Sequence, residues 1–412
     1  MRVWSRFESR FVSVKILFVH EVSYRKKVIF EMHEFPELLA ERGHEVTFFD
    51  FDEGAQFWDG GTTPREDVIS GRVHLKSNLR VVRPFQLGIP GVDRILATLT
   101  SWFALKTVIE KSHFDTIVLL AVPTYGLQTL HWARKYGVPV TFRALDVSHK
   151  IRNNLLGWAI KQVEKRIYNR ADLVLGNNPA MTAYCERLGK RTKPSKTLLA
   201  PVDLSHFKSV TPSAKLRDEL GIGAADKVIA YMGSFFYFSG LDEIIKTFGQ
   251  EVETGNAVGS KLLLIGGGEQ DAELRKHVED LNLEEVVKFT GFVNYAHLPE
   301  YLSLATVAIN PLKKSLVTDT ALPHKVLQYL ALGLPVVSTP LDGLKAVFGD
   351  SAGIRWANTP AEILKVALAF ATDETGRAEA SKLAKKSVAE RLSLDGAVDQ
   401  LEQILLELKG TK

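Results

Sequence analysis

Residues 261–292 read KLLLIGGGEQDAELRKHVEDLNLEEVVKFTGF. An apolar run ends in Gly266-Gly267-Gly268, a helix-spaced segment covers 271–281, and a second apolar run, VVKFTGF, follows. Strand, helix and strand in that order predict two parallel strands joined by a crossover. The triple glycine lets a ligand approach the backbone closely. The helix start beyond it, after Glu269, offers free N–H groups to an anion. The spacing is not G-x-G-x-x-G, so it carries no dinucleotide fingerprint. A plain structural turn would read the same way.

The pattern extends in both directions. VIAYMGS (228–234) lies upstream, and VAINPL (307–312) and PVVSTP (335–340) lie downstream. Helical segments are expected at 241–248, 297–303, 322–332 and 360–371. The first half repeats the alternation. Strands are expected at 15–20, 45–51, 115–122, 139–145, 171–178 and 196–202. Helices are expected at 29–42, 93–111, 125–136, 151–170 and 179–188, with Gly43 and Gly137 just past two of their ends. Residues 53–80 read as a long loop with one short strand, and 377–409 as one amphipathic helix. The fold class is therefore α/β, with two doubly wound parallel sheets facing across a cleft. The expected division is an acceptor-side domain over 1–205 and a second domain over 206–384. The helical end, 385–412, packs back on the first.

The chain has 412 residues, 45% apolar and 24% charged, and one cysteine, Cys185. That composition excludes fibrous and disordered classes, and a disulfide framework. No run approaches the ~20 apolar residues of a membrane-spanning helix. A cytoplasmic setting is expected. The net charge of +4 is uneven: residues 1–200 hold 30 Lys+Arg against 20 Asp+Glu, and the remainder hold 22 against 28. The first half suits an anionic partner. Nucleic acid is not expected, for no recognition signature is present. An anionic membrane surface is the other candidate, on the inner face of the plasma membrane. Two segments bear on it. Residues 1–13 place Trp4, Phe7 and Phe11 among arginines, as a frayed end or a membrane-touching arm. Residues 149–170 combine Lys150, Arg152, Lys161, Lys165, Arg166 and Arg170 with Leu155, Leu156, Trp158, Ile160, Val163 and Ile167. That is either an ordinary domain helix or an interfacial one.

Two more turns could hold a phosphate. Gly233-Ser234 closes the strand VIAYMGS. Pro323-His324-Lys325 opens the helix running to Leu332, where the helix dipole favours anions and a lysine adds charge. Gln328 shares a face with His324 and Lys325. A solvated surface lysine is the plain alternative.

GSFFYFSGLDEII (233–245), LLLIGGGEQ (262–270), VVKFTGF (286–292) and LPHKVLQYLALGLPVVSTPLDGL (322–344) stand in the order seen in glycosyltransferase family 4, which this chain resembles over about residues 15–370. PVTFRALD (139–146), EKRIYNRADLVLGNNPAMTAYCERLG (164–189) and APVDLSHF (200–207) agree with the family's first half. The resemblance implies the GT-B fold, with a UDP- or GDP-sugar bound by the second domain and an acceptor against the first. It implies retaining transfer with no cofactor and no metal. The D-x-D at Asp50–Asp52 lies far from the family's donor region. Pro-x-Lys before Tyr-Leu-Ala resembles bacterial surface-polysaccharide branches, so a glycan or lipid-linked acceptor is expected.

Carried over residue by residue, the resemblance puts Phe292 and Val293 at the nucleotide base, and Gly266 and Gly268 along the donor cleft. The family's two glutamates fall on Thr320 and Gln328. Gln328 could bond ribose hydroxyls, and Thr320 or Asp319 would have to meet the sugar. The family's lysine before glycine is Ser239, so Lys325 stands as the substitute diphosphate cation. The family's His-Asp falls on Leu145 and Asp146, with His149 one turn on as the compensating catalytic histidine or a structural one. Arg25, Lys26 and Lys27 replace glycines in the first loop, as acceptor-phosphate contacts or a solvated basic loop. These departures keep two rivals open: a catalytically inactive nucleotide-sugar-binding or partner protein, and a nucleotide-sugar epimerase of the same fold.

Overall fold

The computed structural model describes residues 12–52, 64–86, 92–151, 155–350 and 352–410. The expected arm at 1–13, with Trp4, Phe7 and Phe11, lies outside them except for its last two residues, and Arg152 lies outside as well.

The first sheet contains β1 (Lys15–Val19), β2 (Glu45–Phe49), β3 (Arg65–Ser70), β4 (Asn78–Arg83), β5 (Thr116–Leu119), β6 (Val140–Ala144), β7 (Leu173–Gly176) and β8 (Ser195–Thr197). Its order is β3-β4-β2-β1-β5-β6-β7-β8. All its pairs are parallel except β3 with β4. The second sheet contains β9 (Lys227–Ser234), β10 (Ser260–Gly267), β11 (Val287–Gly291), β12 (Val307–Asn310), β13 (Val336–Ser338) and β14 (Ile354–Trp356). It is parallel throughout, in the order β11-β10-β9-β12-β13-β14. Helices cover both faces of each sheet, so the central strands are buried on both sides and read as continuous apolar runs.

Strand order reverses at β1/β5 in the first sheet and at β9/β12 in the second. Crevices open beyond the carboxyl ends of strands at such points. The first crevice receives residues 20–24 and 120–124, and the second receives 233–240 and 311–320.

Several expectations change. The segment 53–80, read with one strand, holds β3 and the start of an antiparallel partner, β4. β3 is mostly exposed and polar, so its periodicity is weak. The helix read over 151–170 is a turn at Ser148–Ile151 followed by Leu155–Arg170. The tail read as one helix is two, Glu374–Arg391 and Leu394–Gly410. The chain breaks between them because Val202 N–H donates to Leu392 O (2.8 Å) and Val202 O accepts from Leu394 N–H (3.2 Å). Helices Ala214–Leu220, Leu316–Thr320 and Asp342–Phe348, and the three-residue β14, were not expected.

Helix Leu394–Gly410 packs Val398, Leu401 and Leu405 into the core formed by Ile16, Phe18 and Phe48 of the first sheet. Glu402 accepts from Arg42 Nη1 (2.7 Å) and meets His44 Nε2 (2.9 Å). The last helix of the chain thus belongs physically to the first sheet.

Candidate active site

The donor side is built on the β9–β10 pair. Gly233 lies opposite Gly266, and Ser234 opposite Gly267. Gly266 has φ of +131°, and a Cβ there would lie 2.1 Å from Gly233 O. Any side chain would force the two strand ends apart. Gly233 has φ of +137°, and a Cβ there would lie 2.8 Å from Lys325 Nζ. Gly266 requires glycine for backbone conformation and for space, and Gly233 for backbone conformation, since the Lys325 side chain can shift.

Lys325 sits in the first turn of the helix His324–Leu332, after Pro323 at its N-cap. Its ammonium donates to Tyr231 Oη (2.7 Å) and lies 4.0 Å from the Tyr231 ring centroid. The positive end of the helix and the lysine therefore face the Gly233–Ser234 turn together. Ser239, standing where the family has lysine, is fully buried. Its hydroxyl donates to Ser234 O (3.1 Å) and accepts from Phe236 N–H (3.0 Å). It holds the loop that Lys325 faces and offers no charge of its own.

Phe292 is 73% exposed, its ring against Gly267. Val293 packs against the core formed by Val228, Ala308 and Val336 of the second sheet. Glu269 and Gly268 are exposed beside this edge. Gln328 is half-buried. Thr320 is turned away: its hydroxyl donates to Leu316 O (2.7 Å), and its carbonyl accepts from Asn178 Nδ2 (2.9 Å) across the two halves. The expected sugar contact from the Thr320 side chain is thereby spent within its own helix. Asp319 is freer: its Oδ1 is buried without a hydrogen-bond partner, and desolvation raises its carboxyl.

The acceptor side gathers at the β1/β5 reversal. Asp146 is exposed. Desolvation and then Glu31 raise its carboxyl, and Lys27 opposes them. His324, from the second half, is lowered by the same surroundings, with Glu31 opposing and Arg143 reinforcing that shift. Asp146 and His324 thus both feel the charge of Glu31. Glu31 itself is buried, gripped by Arg143 Nε (2.6 Å) and Nη2 (2.7 Å).

Three residues that the sequence reading missed complete this side. His20 follows β1; desolvation, then Lys27, His33 and Arg94, push its imidazole down to about 3. Glu21 accepts from Thr124 N–H (2.7 Å), and burial raises its carboxyl. Arg94 acts on both. For His20 and Glu21 the signal was positional, immediately beyond β1 and beside the strand-order reversal, whereas Arg94 lies in the helix Asp93–Ser112 and had no such signal.

The basic loop divides. Arg25 pairs with Asp67 (3.3 Å) and Lys26 with Asp52 (2.8 Å), whereas Lys27 acts on His20 and Asp146. Asp50 is fully buried against Arg83 (2.7 Å) and accepts from Tyr24 N–H (3.1 Å), so the Asp50–Asp52 pair is committed to structure. His149 is also structural in its surroundings. It is buried, with Nδ1 2.6 Å from Glu164 Oε2 and 3.4 Å from Tyr184 Oη. Its imidazole is thus engaged by buried groups of its own domain.

Comparison with known proteins agrees with this fold. Residues 32–202 match the family description "Glycosyl transferase 4-like domain", and residues 226–373 match "Glycosyl transferases group 1". A Bacillus anthracis protein named N-acetyl-alpha-D-glucosaminyl L-malate synthase is 22% identical over 385 residues, spanning 91% of this chain and 92% of that one. The fold is similar to sucrose-phosphate synthase from Thermosynechococcus elongatus, with TM-score 0.78 and 17% identity over 97% of this chain and 100% of that one. It is also similar to Anabaena HepE in complex with UDP-glucose, with TM-score 0.72 and 18% identity over 96% and 100% of the two chains. With both halves matched in order and two parallel-sheet domains opposed, the chain belongs to the family-4-type glycosyltransferases of GT-B fold.

Proposed function

We propose that the protein moves a sugar from a nucleoside diphosphate to a hydroxyl acceptor, with retention and without a metal. The observation that carries this reading is the Lys325 ammonium held against the Gly233–Ser234 turn at the reversal of the second sheet. As the glycosidic C–O bond breaks, negative charge gathers on the leaving diphosphate. Lys325 and the N–H groups of its helix's first turn stabilise that charge. The acceptor hydroxyl attacks on the face the diphosphate leaves, and a diphosphate oxygen takes its proton. Asp146 orients the acceptor or the sugar. Phe292 and the Val293 backbone border the base, and Gln328 the ribose.

The UDP-glucose complex of the similar Anabaena protein supports UDP as the donor nucleotide, with GDP the other choice. The proposed acceptor is a growing polysaccharide or a lipid-linked glycan, as in the bacterial surface-polysaccharide branch. The proposed location is the cytoplasmic face of the plasma membrane. No described helix is long and apolar enough to cross one.

The test is product analysis with UDP- and GDP-sugars, with and without lipid-linked and soluble glycan acceptors. Acceptor-dependent release of nucleotide supports transfer, and an inverted linkage would refute retention. A second reading has one observation behind it: the family's carboxylate position is Thr320, whose hydroxyl is bonded inside its own helix. A nucleotide-sugar-binding protein would bind donor and turn over none. An epimerase would change the sugar with no acceptor present.

A further inference from the structure

Helices Asp93–Ser112, Gly126–Tyr136 and Leu155–Arg170 lie side by side on one face of the first sheet, and all three pack inward on the same core. The outer side of the first is apolar. Ile95, Leu99 and Phe103 form one stripe at four-residue spacing and are 66%, 63% and 72% exposed. Trp158, on the third helix, is 70% exposed. Scattered single apolar residues need no explanation, but a stripe does.

Between the first two of these helices lies a band of aromatic rings and cations. Trp102 meets His131 at 4.8 Å and Trp132 at 5.6 Å between ring centroids. The ammoniums of Lys106 and Lys135 lie 5.7 and 5.1 Å from the Trp132 ring. The three helices carry nine Lys and Arg against three Asp and Glu, and one of those acids, Glu164, is buried. Protein-protein contacts exclude charge from their centres. Exposed apolar side chains set among cations, with amphipathic rings between them, instead match the boundary of an anionic bilayer.

We infer that this three-helix face docks the protein on an anionic lipid surface, with Ile95, Leu99, Phe103 and Trp158 entering the headgroup layer. Gln128 Nε2 donates to Thr98 O (2.9 Å), next to Leu99, and to Thr124 O (2.8 Å), while Thr124 N–H donates to Glu21 (2.7 Å) at the acceptor side of the cleft. The docked face therefore adjoins that mouth. The consequence, that a lipid-anchored acceptor reaches the cleft without leaving the bilayer, rests on the transfer reading above. The docking does not.

The test is co-sedimentation of the full chain with phosphatidylglycerol-containing and pure phosphatidylcholine vesicles, with no donor or acceptor present. Wild type should partition at least roughly tenfold better to the anionic vesicles. Leu99→Asp with Phe103→Asp should lower that partition roughly tenfold or more, leaving the thermal midpoint and any nucleotide-induced shift unchanged. Equal recovery with both vesicles, or a double variant that sediments like wild type, would overturn the inference. So would a double variant that merely converts a dimer to a monomer, for the face would then meet a second copy. Loss of nucleotide binding with vesicle binding intact would count against the donor reading alone.

Discussion

Lys325 Nζ lies 2.7 Å from Tyr231 Oη, and the Tyr231 hydroxyl in turn donates to Ser234 O at 3.0 Å. A cation, a strand residue and the donor-side turn are thus joined in one short chain. The tyrosine holds the lysine by a hydrogen bond and by its ring face. Tyr231→Phe should keep the ring contact and lose the hydroxyl's hydrogen bonds to Lys325 and Ser234, each of which stabilises by about 1 kcal/mol. Nucleotide affinity, read by titration calorimetry, should fall less than tenfold.

Gly266→Ala should be among the most damaging small substitutions in the protein. It sets a methyl group 2.1 Å from Gly233 O at a φ of +131°. Backbone strain of this kind costs about 1–3 kcal/mol before the clash is counted. Urea unfolding should show a lower midpoint, and nucleotide binding should weaken with it. A variant as stable as wild type would mean that the two strand ends separate freely.

The Arg143–Glu31 pair is buried on both sides. Arg143 Nη1 also donates to Leu198 O (2.6 Å) and Gly176 O (3.2 Å), tying three strands to the helix that begins at Glu31. Arg143→Leu should destabilise by about 3–5 kcal/mol because it strands a buried carboxylate. Adding Glu31→Gln should recover part of that loss. Chemical denaturation of the three variants checks both parts.

Glu34 sets a pH dependence. It is buried, and desolvation, then Asp203 and Glu31, push its carboxyl up to about 8, with the Tyr295 hydroxyl at 3.4 Å opposing. The folded form therefore holds a proton that the unfolded chain releases near pH 4.5. Between those two values the folded state binds more protons, so Glu34 lowers stability as pH rises. Below the lower value it contributes no slope. Glu34→Gln should flatten that part of the stability profile and stabilise the protein at pH 8 relative to wild type. An unchanged profile would place the titration elsewhere.

His149→Ala should act on stability rather than on turnover. It leaves Glu164 buried without its 2.6 Å partner. A drop in the unfolding midpoint with kcat within a few-fold of wild type is the expected outcome. A loss of kcat at unchanged stability would return His149 to the catalytic group.

Much of this was legible in the sequence because burial on both faces leaves a simple mark. Runs such as KILFV and KLLLI can only be central parallel strands or buried helices, and their length and flanking glycines decide between them. β3 left no such mark because its side chains are mostly exposed. The break at Leu392–Ser393 left none because it is made by Val202, nearly two hundred residues away. At the site, Lys325 was readable from its place at a helix start. His20, Glu21 and Arg94 were not, for only the strand order brings them together. Thr320 and His149 share one trait that the sequence does not show: each has a hydrogen-bonding atom engaged by a partner within the protein.

The central claim is that a nucleoside diphosphate sits against Gly233 and Lys325. Its most direct test is calorimetric titration of wild type and Lys325→Ala with UDP, GDP, ADP and CMP and their sugar conjugates. The account predicts that one diphosphate nucleotide binds wild type, and that the variant binds it at least roughly tenfold more weakly, as expected for loss of a charge-assisted contact. Equal affinity in the two proteins, or no binding of any of these nucleotides to wild type, would contradict it.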